Sequence, residues 1–203
     1  MIYLLAGHHI VGGKGTGART NLYDEAVLAA ELRNAIALAL IARDVPVWKD
    51  RDEISQSEQI SALSEKVNRQ DIVLDIHFNA ATSPNAGGVE IFVPDDPKPI
   101  ALDFAHALVK KTVQVMGSVL RRSKHRELPS GVKLHTETHH GDKGLFLMRT
   151  LQDKCDVVCL LEVAFLTNPK EMERYMEVRF DLAEDYAILL KTYHERLQKK
   201  HSA

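Results

Sequence analysis

What the sequence is short of narrows the field before any motif is considered. Only two cysteines, Cys155 and Cys159, occur in 203 residues, so no disulfide framework holds the fold, and a chain of this length can bury a core without one. Val157 and Val158 lie between them in an apolar run, and both cysteines read as reduced, packed thiols. An excess of one charge is equally absent. With 26 basic and 28 acidic residues and a formal net charge of -2, there is no basic field of the kind that dominates nucleic-acid binding, and no acidic tail. Long hydrophobic runs are missing as well. The opening MIYLLAGHH is apolar for only about five positions with no basic stretch before it, which predicts neither a signal peptide nor a membrane span. Repeats, low-complexity tracts and a dividing linker are also lacking, so a single domain over 1–203 is expected.

What is present alternates between strand and helix patterns. Residues 2 to 6 form a short buried strand ending at Gly7. The loop GGKGTGARTN that follows is glycine-rich but has the spacing of neither phosphate-binding fingerprint. From Asp24 to Asp44, a stretch dominated by Ala, Leu and Ile predicts a long, mostly buried helix, capped by Thr20 or Asn21. Val45 to Trp48 predicts a strand, residues 55 to 68 a helix, and Asp71 to His77 a strand. In this last strand Val73 and Asp75 share the His77 face, opposite Ile72, Leu74 and Ile76. A further strand follows at Val89 to Val93, a helix over 98–116, a strand at Val157 to Val163, and one or two helices over 169–197 interrupted near Val178 to Asp181. The histidine- and charge-rich stretch from Gly117 to Gly144 reads as mostly irregular and bordering a site. The fold class is therefore α/β: a mainly parallel twisted sheet of about six strands with helices on both faces.

In such sheets ligands gather at the carboxyl ends of strands. Three predicted strands finish in or beside an acid/base or metal-binding residue: His8, His77 and Glu162. Glu25 joins them through the first helix, which begins close to the end of the first strand. Two histidines and a glutamate are a ligand set for catalytic zinc that leaves a position open for water, and His8, Glu25 and His77 fit it. A carboxylate that does not bind the metal must then move protons, and Glu162 is the candidate. Each residue alone also fits a structural role, Glu25 through the helix dipole. Glu162 is the hardest to explain that way, because it stands in the apolar run VVCLLEVAFL, where an unpartnered carboxylate is costly.

Taken together, the motifs resemble the zinc-dependent N-acetylmuramoyl-L-alanine amidases of bacterial cell-wall remodelling and phage lysins. AGHH resembles the opening Gly-His motif, with His8 as ligand, and YDEAVLAAELRNAIALAL the helix that begins with the ligand Glu25. NRQDIVLDIHFNA is similar to the strand that ends in the second histidine and an Asn, here His77 and Asn79; GGVEIFV resembles the next strand. LLEVAFLTNPKE is similar to the signature around the catalytic glutamate, with Phe165 and Asn168 in the expected places. Two departures stand out. His9 follows His8 where the family has glycine and is a rival ligand, and Asp75 replaces the family's usual serine, either as a carboxylate orienting a ligand histidine or as an ordinary salt-bridged aspartate.

The resemblance implies zinc as cofactor, peptidoglycan as substrate, and hydrolysis of the amide between N-acetylmuramic acid and L-alanine, with Glu162 taking a proton from water and returning it to the departing nitrogen. It implies substrate contacts at Asn79. The cluster His135, His139 and His140 suits a substrate-facing loop, with His135 as its candidate contact, better than a second metal site, since Thr136, Thr138 and Gly141 disfavour a helix there. A zinc peptidase or deacetylase acting on another amide and a catalytically silent wall-binding module remain as alternatives. The expectation for location is a protein made in the cytoplasm without a signal peptide that acts on peptidoglycan after release or export, with a phage-type lysin as the favoured role.

Overall fold

The computed structural model describes residues 1–138 and 143–202. A six-stranded sheet forms its centre, with strands β1 (Ile2–Ala6), β4 (Val47–Lys49), β5 (Ile72–Asn79), β6 (Glu90–Val93), β7 (Val132–Leu134) and β8 (Val157–Phe165) in the order β4-β1-β5-β8-β6-β7. The first four in that order run parallel, whereas β6 is antiparallel to β8 and parallel to β7. A two-stranded hairpin, β2 (Ile10–Val11) with β3 (Lys14–Gly15), stands apart from the sheet.

Helices cover both faces unequally. On one face lie α1 (Glu25–Ile41), α3 (Pro99–Met116) and α5 (Pro169–Ser202), packed over Ile72, Leu74, Ile76 and Phe78 of β5 and Val157, Cys159 and Leu161 of β8. Among the described residues the other face carries α2 (Gln56–Leu63) and α4 (Phe146–Leu151), over Leu5, Val73, Val158 and Leu160. Period-two alternation along β5 and β8 thus feeds two separate apolar clusters. Among the described residues no helix is long and apolar enough to cross a membrane.

Local signals explain most boundaries. Asp24, rather than Thr20 or Asn21, caps α1 by accepting from the Ala26 N–H, while the Thr20 hydroxyl serves the turn before it by accepting from the Leu22 and Tyr23 N–H groups. Ser55 and Glu58 form a capping box on α2, which stops at Leu63 and is shorter than the pattern suggested. Pro99 occupies the first turn of α3 and Gly117 ends it with φ of 66°. The predicted interruption near Val178 to Asp181 is absent: α5 is one helix of 34 residues, because no proline or glycine occurs between Lys170 and Ser202. In the stretch read as irregular, β7 and a 3-10 turn at His135–Glu137 form, the strand because β6 offers it a parallel partner.

Helix α5 is anchored at both ends. Glu171 in its first turn accepts from the Gly88 N–H, the Ser118 hydroxyl and the Phe165 N–H at 2.6, 2.7 and 2.9 Å. Toward its other end, His194 lies 3.0 Å from the Met1 amine and Gln198 donates to the Gln70 carbonyl.

Candidate metal centre and active site

The carboxyl ends of β1 and β5 bring the candidate ligands together. Beyond β1, Gly7 donates to the Ile76 carbonyl at 2.7 Å, and His8 follows with φ of 71°. A non-glycine residue in the left-handed region is held there only by its surroundings, and such positions cluster at functional sites. A Cβ on Gly7 would come within 2.5 Å of the His77 ring, and one on Gly17 within 2.4 Å of the His8 ring and 2.6 Å of Glu25. Both glycines are therefore places where backbone is pressed against a ring, and no larger residue fits without displacing it.

Glu25 bridges the two histidines. Its Oε1 lies 3.1 Å from His77 Nδ1 and its Oε2 3.2 Å from His8 Nε2. The Phe78 and Ala18 N–H groups donate to the same carboxylate. Burial by itself pushes the Glu25 carboxyl up, but the hydrogen bonds and charges of His77 and His8 outweigh it and hold the group ionised far below the usual carboxylate range. For His77 burial opposes the charged ring, yet Asp75, Glu25 and Glu162 together raise its pKa well above the ordinary imidazole value. One candidate ligand atom from each of His8, Glu25 and His77 falls within 4.8 Å of the others.

The second nitrogen of the His77 ring is also engaged. Nε2 sits 3.3 Å from Asp75 Oδ2, to which Gln56 donates at 2.6 Å from the start of α2. Asp75 is fully buried. Of the two readings of this aspartate, the structure shows the one in which a carboxylate faces the ring nitrogen away from Glu25, an arrangement that fixes ring orientation and leaves Nδ1 for a ligand role.

Glu162 lies in β8 in direct register with His77 of β5 on one side and Glu90 of β6 on the other. Cross-strand neighbours on one sheet face are roughly 5 Å apart, so the three side chains form a row across the cleft. Glu162 is partly open to that cleft, but its Oε2 is sealed from solvent and has no hydrogen-bond partner among the described residues. Desolvation, reinforced by the charges of Glu25, Glu90 and Asp75 against the opposing effect of His77, pushes its pKa up to about 8. A carboxyl so placed can hold or release a proton near neutrality.

The cleft measures about 900 Å³ and is bordered by His8, Glu25, His77, Asn79 and Glu162, with Glu90, Arg121, Lys133, Leu145 and Arg149 along its walls. Asn79 donates to Glu90 Oε1 at 2.8 Å, so it reaches the cleft with its amide nitrogen already engaged. Two other sequence candidates lie elsewhere. His9 turns to Thr16 at 3.2 Å and does not join the cluster of His8, Glu25 and His77. His135 is buried at 3% exposure and is absent from the cleft lining; its Nδ1 accepts from the Leu145 N–H at 3.0 Å and its Nε2 faces Asp95. It pins the segment that leads into the cleft wall and is not brought together with the other candidates. His139 and His140 lie outside the described residues.

Sequence reading did not single out Gly17, Gln56, Glu90, Arg121 or Lys133. Gly17 and Gln56 come near the ligands only through folded loops. Glu90 sits in GGVEIFV, where one polar residue in a strand carries no signal until β6 is known to pair antiparallel with β8.

A mainly parallel α/β domain thus gathers two histidines and two carboxyl groups around one cleft where its parallel strands finish. The donor set fits zinc: two imidazole nitrogens and a carboxylate converge, and the remaining ring nitrogen of His77 meets a carboxylate of its own. The profile of the N-acetylmuramoyl-L-alanine amidase family matches residues 2–190, and the chain belongs to that family of peptidoglycan amidases. Among solved structures, the N-acetylmuramoyl-L-alanine amidase from Clostridium difficile 630 aligns with a TM-score of 0.72 at 18% identity, covering 96% of both chains. AmiC2, the N-acetylmuramoyl-L-alanine amidase of Nostoc punctiforme, aligns with a TM-score of 0.71 at 18% identity, also over 96% of both. The catalytic domain of the CD27L endolysin targeting Clostridia difficile follows with a TM-score of 0.64 at 18% identity, covering 94% of this chain and 96% of that one. At these identities the likeness establishes the shared fold. A search of curated protein sequences gives no significant match.

Proposed function

We propose that the protein is a zinc-dependent amidase that hydrolyses the bond between the lactyl carbonyl of N-acetylmuramic acid and the nitrogen of L-alanine, in the role of a phage-type lysin. The observation that carries this reading is the convergence of His8, Glu25 and His77 beside a carboxyl, Glu162, whose buried oxygen has no partner of its own. Family membership supplies the substrate class.

His8, Glu25 and His77 would hold the ion, which when bound supplies Lewis acidity for water activation and for charge on the carbonyl oxygen. Asp75 and Gln56 keep the His77 ring oriented from behind. Glu162, held near neutrality by burial, takes a proton from the attacking water and delivers it to the alanine nitrogen as the C–N bond breaks. The products are a free lactyl carboxylate and a new L-alanine amino terminus.

Digestion of purified sacculi, with and without chelator, followed by mass spectrometry of the products tests this. Chelator-sensitive release of peptides beginning with L-alanine is expected. Cleavage between amino acids would assign a peptidase, loss of acetate a deacetylase, and binding without products a silent wall-binding module. The likeness to an endolysin catalytic domain supports the lysin role. Expression together with a membrane-permeabilising protein should lyse the host, and intact cells despite full activity on sacculi would point to wall remodelling instead.

A further inference from the structure

Outside the ligand cluster, the most unusual charge arrangement lies on the wall formed by β6 and β7. Glu90 is buried, and a single oxygen, Oε2, receives two cations: Arg121 Nε at 2.8 Å and Lys133 Nζ at 2.5 Å. Its other oxygen accepts from Asn79 at 2.8 Å. One carboxylate held by two full positive charges and an amide donor is over-neutralised, and the surplus positive charge faces the cleft that holds Glu162.

The cations are held by more than Glu90. The Arg121 guanidinium lies 4.8 Å over the Phe165 ring and donates from Nη1 to the Gly87 carbonyl, while Lys133 stands 6.0 Å over Phe92. Arg121 Nη2 has no partner among the described residues, and the side chain is 35% exposed, open toward the cleft. The other acidic wall residue, Glu137, is occupied by the Ser123 hydroxyl and the Lys124 and Leu134 N–H groups. A guanidinium fixed by stacking and by two hydrogen bonds, with a free edge, is a pre-organised receptor for a carboxylate.

We infer that Arg121 and Lys133 form an anion subsite that recognises the free α-carboxylate of the second stem-peptide residue, γ-linked D-glutamate. The inference rests on the amidase reading for its substrate and deepens it. Distance selects this group. Glu90 pairs in register with Glu162 on the neighbouring strand, roughly 5 Å away, and Arg121 and Lys133 both reach its Oε2, so the cations stand about 5–10 Å from the acid/base carboxyl. The α-carboxylate of the second residue hangs roughly 7 Å from the scissile nitrogen along an extended peptide, whereas carboxylates on the third residue lie beyond about 10 Å. Amidation of the α-carboxylate to D-isoglutamine removes the charge with little change of shape, so this wall would distinguish the two wall chemotypes.

Binding and cleavage are measured separately on the whole chain. For binding, L-Ala-γ-D-Glu-L-Lys and L-Ala-D-isoGln-L-Lys are titrated against the protein by NMR; for cleavage, the matching N-acetylmuramoyl peptides are used. A preference of about 10- to 100-fold for the free carboxylate is expected in Kd and in KM, as for a charge-assisted hydrogen bond. Arg121→Gln should bring both ratios close to one, and Arg121→Lys should restore part of the preference, which a merely structural role would not reproduce. Equal binding of the two peptides, within about two-fold, by a protein that cleaves sacculi overturns the subsite and leaves the amidase reading intact. Selective binding without cleavage of either substrate supports the subsite and sinks the amidase reading.

Discussion

The two faces of the sheet do different work, and β5 carries both in alternate residues. Ile72, Leu74, Ile76 and Phe78 enter a dry aliphatic layer beneath helices of 17, 18 and 34 residues. Val73, Asp75 and His77 point the other way, where helices of only eight and six residues leave the strand ends uncovered. The short cover is what makes a cleft. The comparison teaches that stability and chemistry are separated by a period of two, so neighbouring residues in one strand answer to opposite demands.

The largest effect that would test this division is at His77. His77→Ala should lose both bound zinc and activity on sacculi while keeping its circular dichroism spectrum; a full equivalent of zinc by elemental analysis would contradict its place among the ligands. Next in size is Glu162→Gln, expected to lower kcat by about 10²- to 10⁴-fold with zinc and fold retained. The same variant should be no less stable than the parent. Glu162 has a folded pKa of about 8 against an ordinary 4.5, so the native state holds the extra proton between those values and stability falls as pH rises through that window. In chelated protein the melting temperature of Glu162→Gln should therefore gain on the parent from about pH 4.5 to about 8, and parallel curves would show that the carboxyl is not strained by burial.

On the opposite face the expectation reverses. Phe104, fully buried in α3 against Tyr193, becomes a cavity in Phe104→Ala, which should cost about 3–5 kcal/mol of unfolding free energy in urea, while kcat below the melting transition stays at the parental value. A fall in kcat comparable to that of Glu162→Gln would break the division of labour. The smallest effect is expected at Asp75→Asn, which keeps the shape but removes the charge facing His77 Nε2: a loss of about 10- to 100-fold in zinc affinity by competition with a chelator. No change would return Asp75 to a purely structural role.

How much could be read without coordinates follows from the same division. Strands β1, β5 and β8 were legible because a short apolar run coincides with a His or Glu in or beside its end. His8, Glu25 and His77 were legible because each sits in a short motif of its own. What escaped depends on pairing between distant segments. Glu90 meets Lys133 because β6 pairs with β7, and meets Arg121 because Leu120 bridges Val89, and no local pattern states either pairing. The continuity of α5 was misjudged at Val178 to Asp181, where Phe180 is exposed although apolar and so interrupts the periodicity without interrupting the helix. His135 was grouped by composition with other histidines, whereas in the fold its ring accepts from the Leu145 N–H, a pairing that no local pattern states.

The anchoring of α5 fixes one more property. Its distal turns sit beside the Met1 amine, which also pairs with Asp71 at 2.7 Å just ahead of β5. Met1 and the distal described turns of α5 are thereby gathered at the pole where the parallel strands start, across the molecule from the cleft at their finish. A large body seated on the cleft therefore approaches from the end of the sheet away from Met1 and the distal turns of α5.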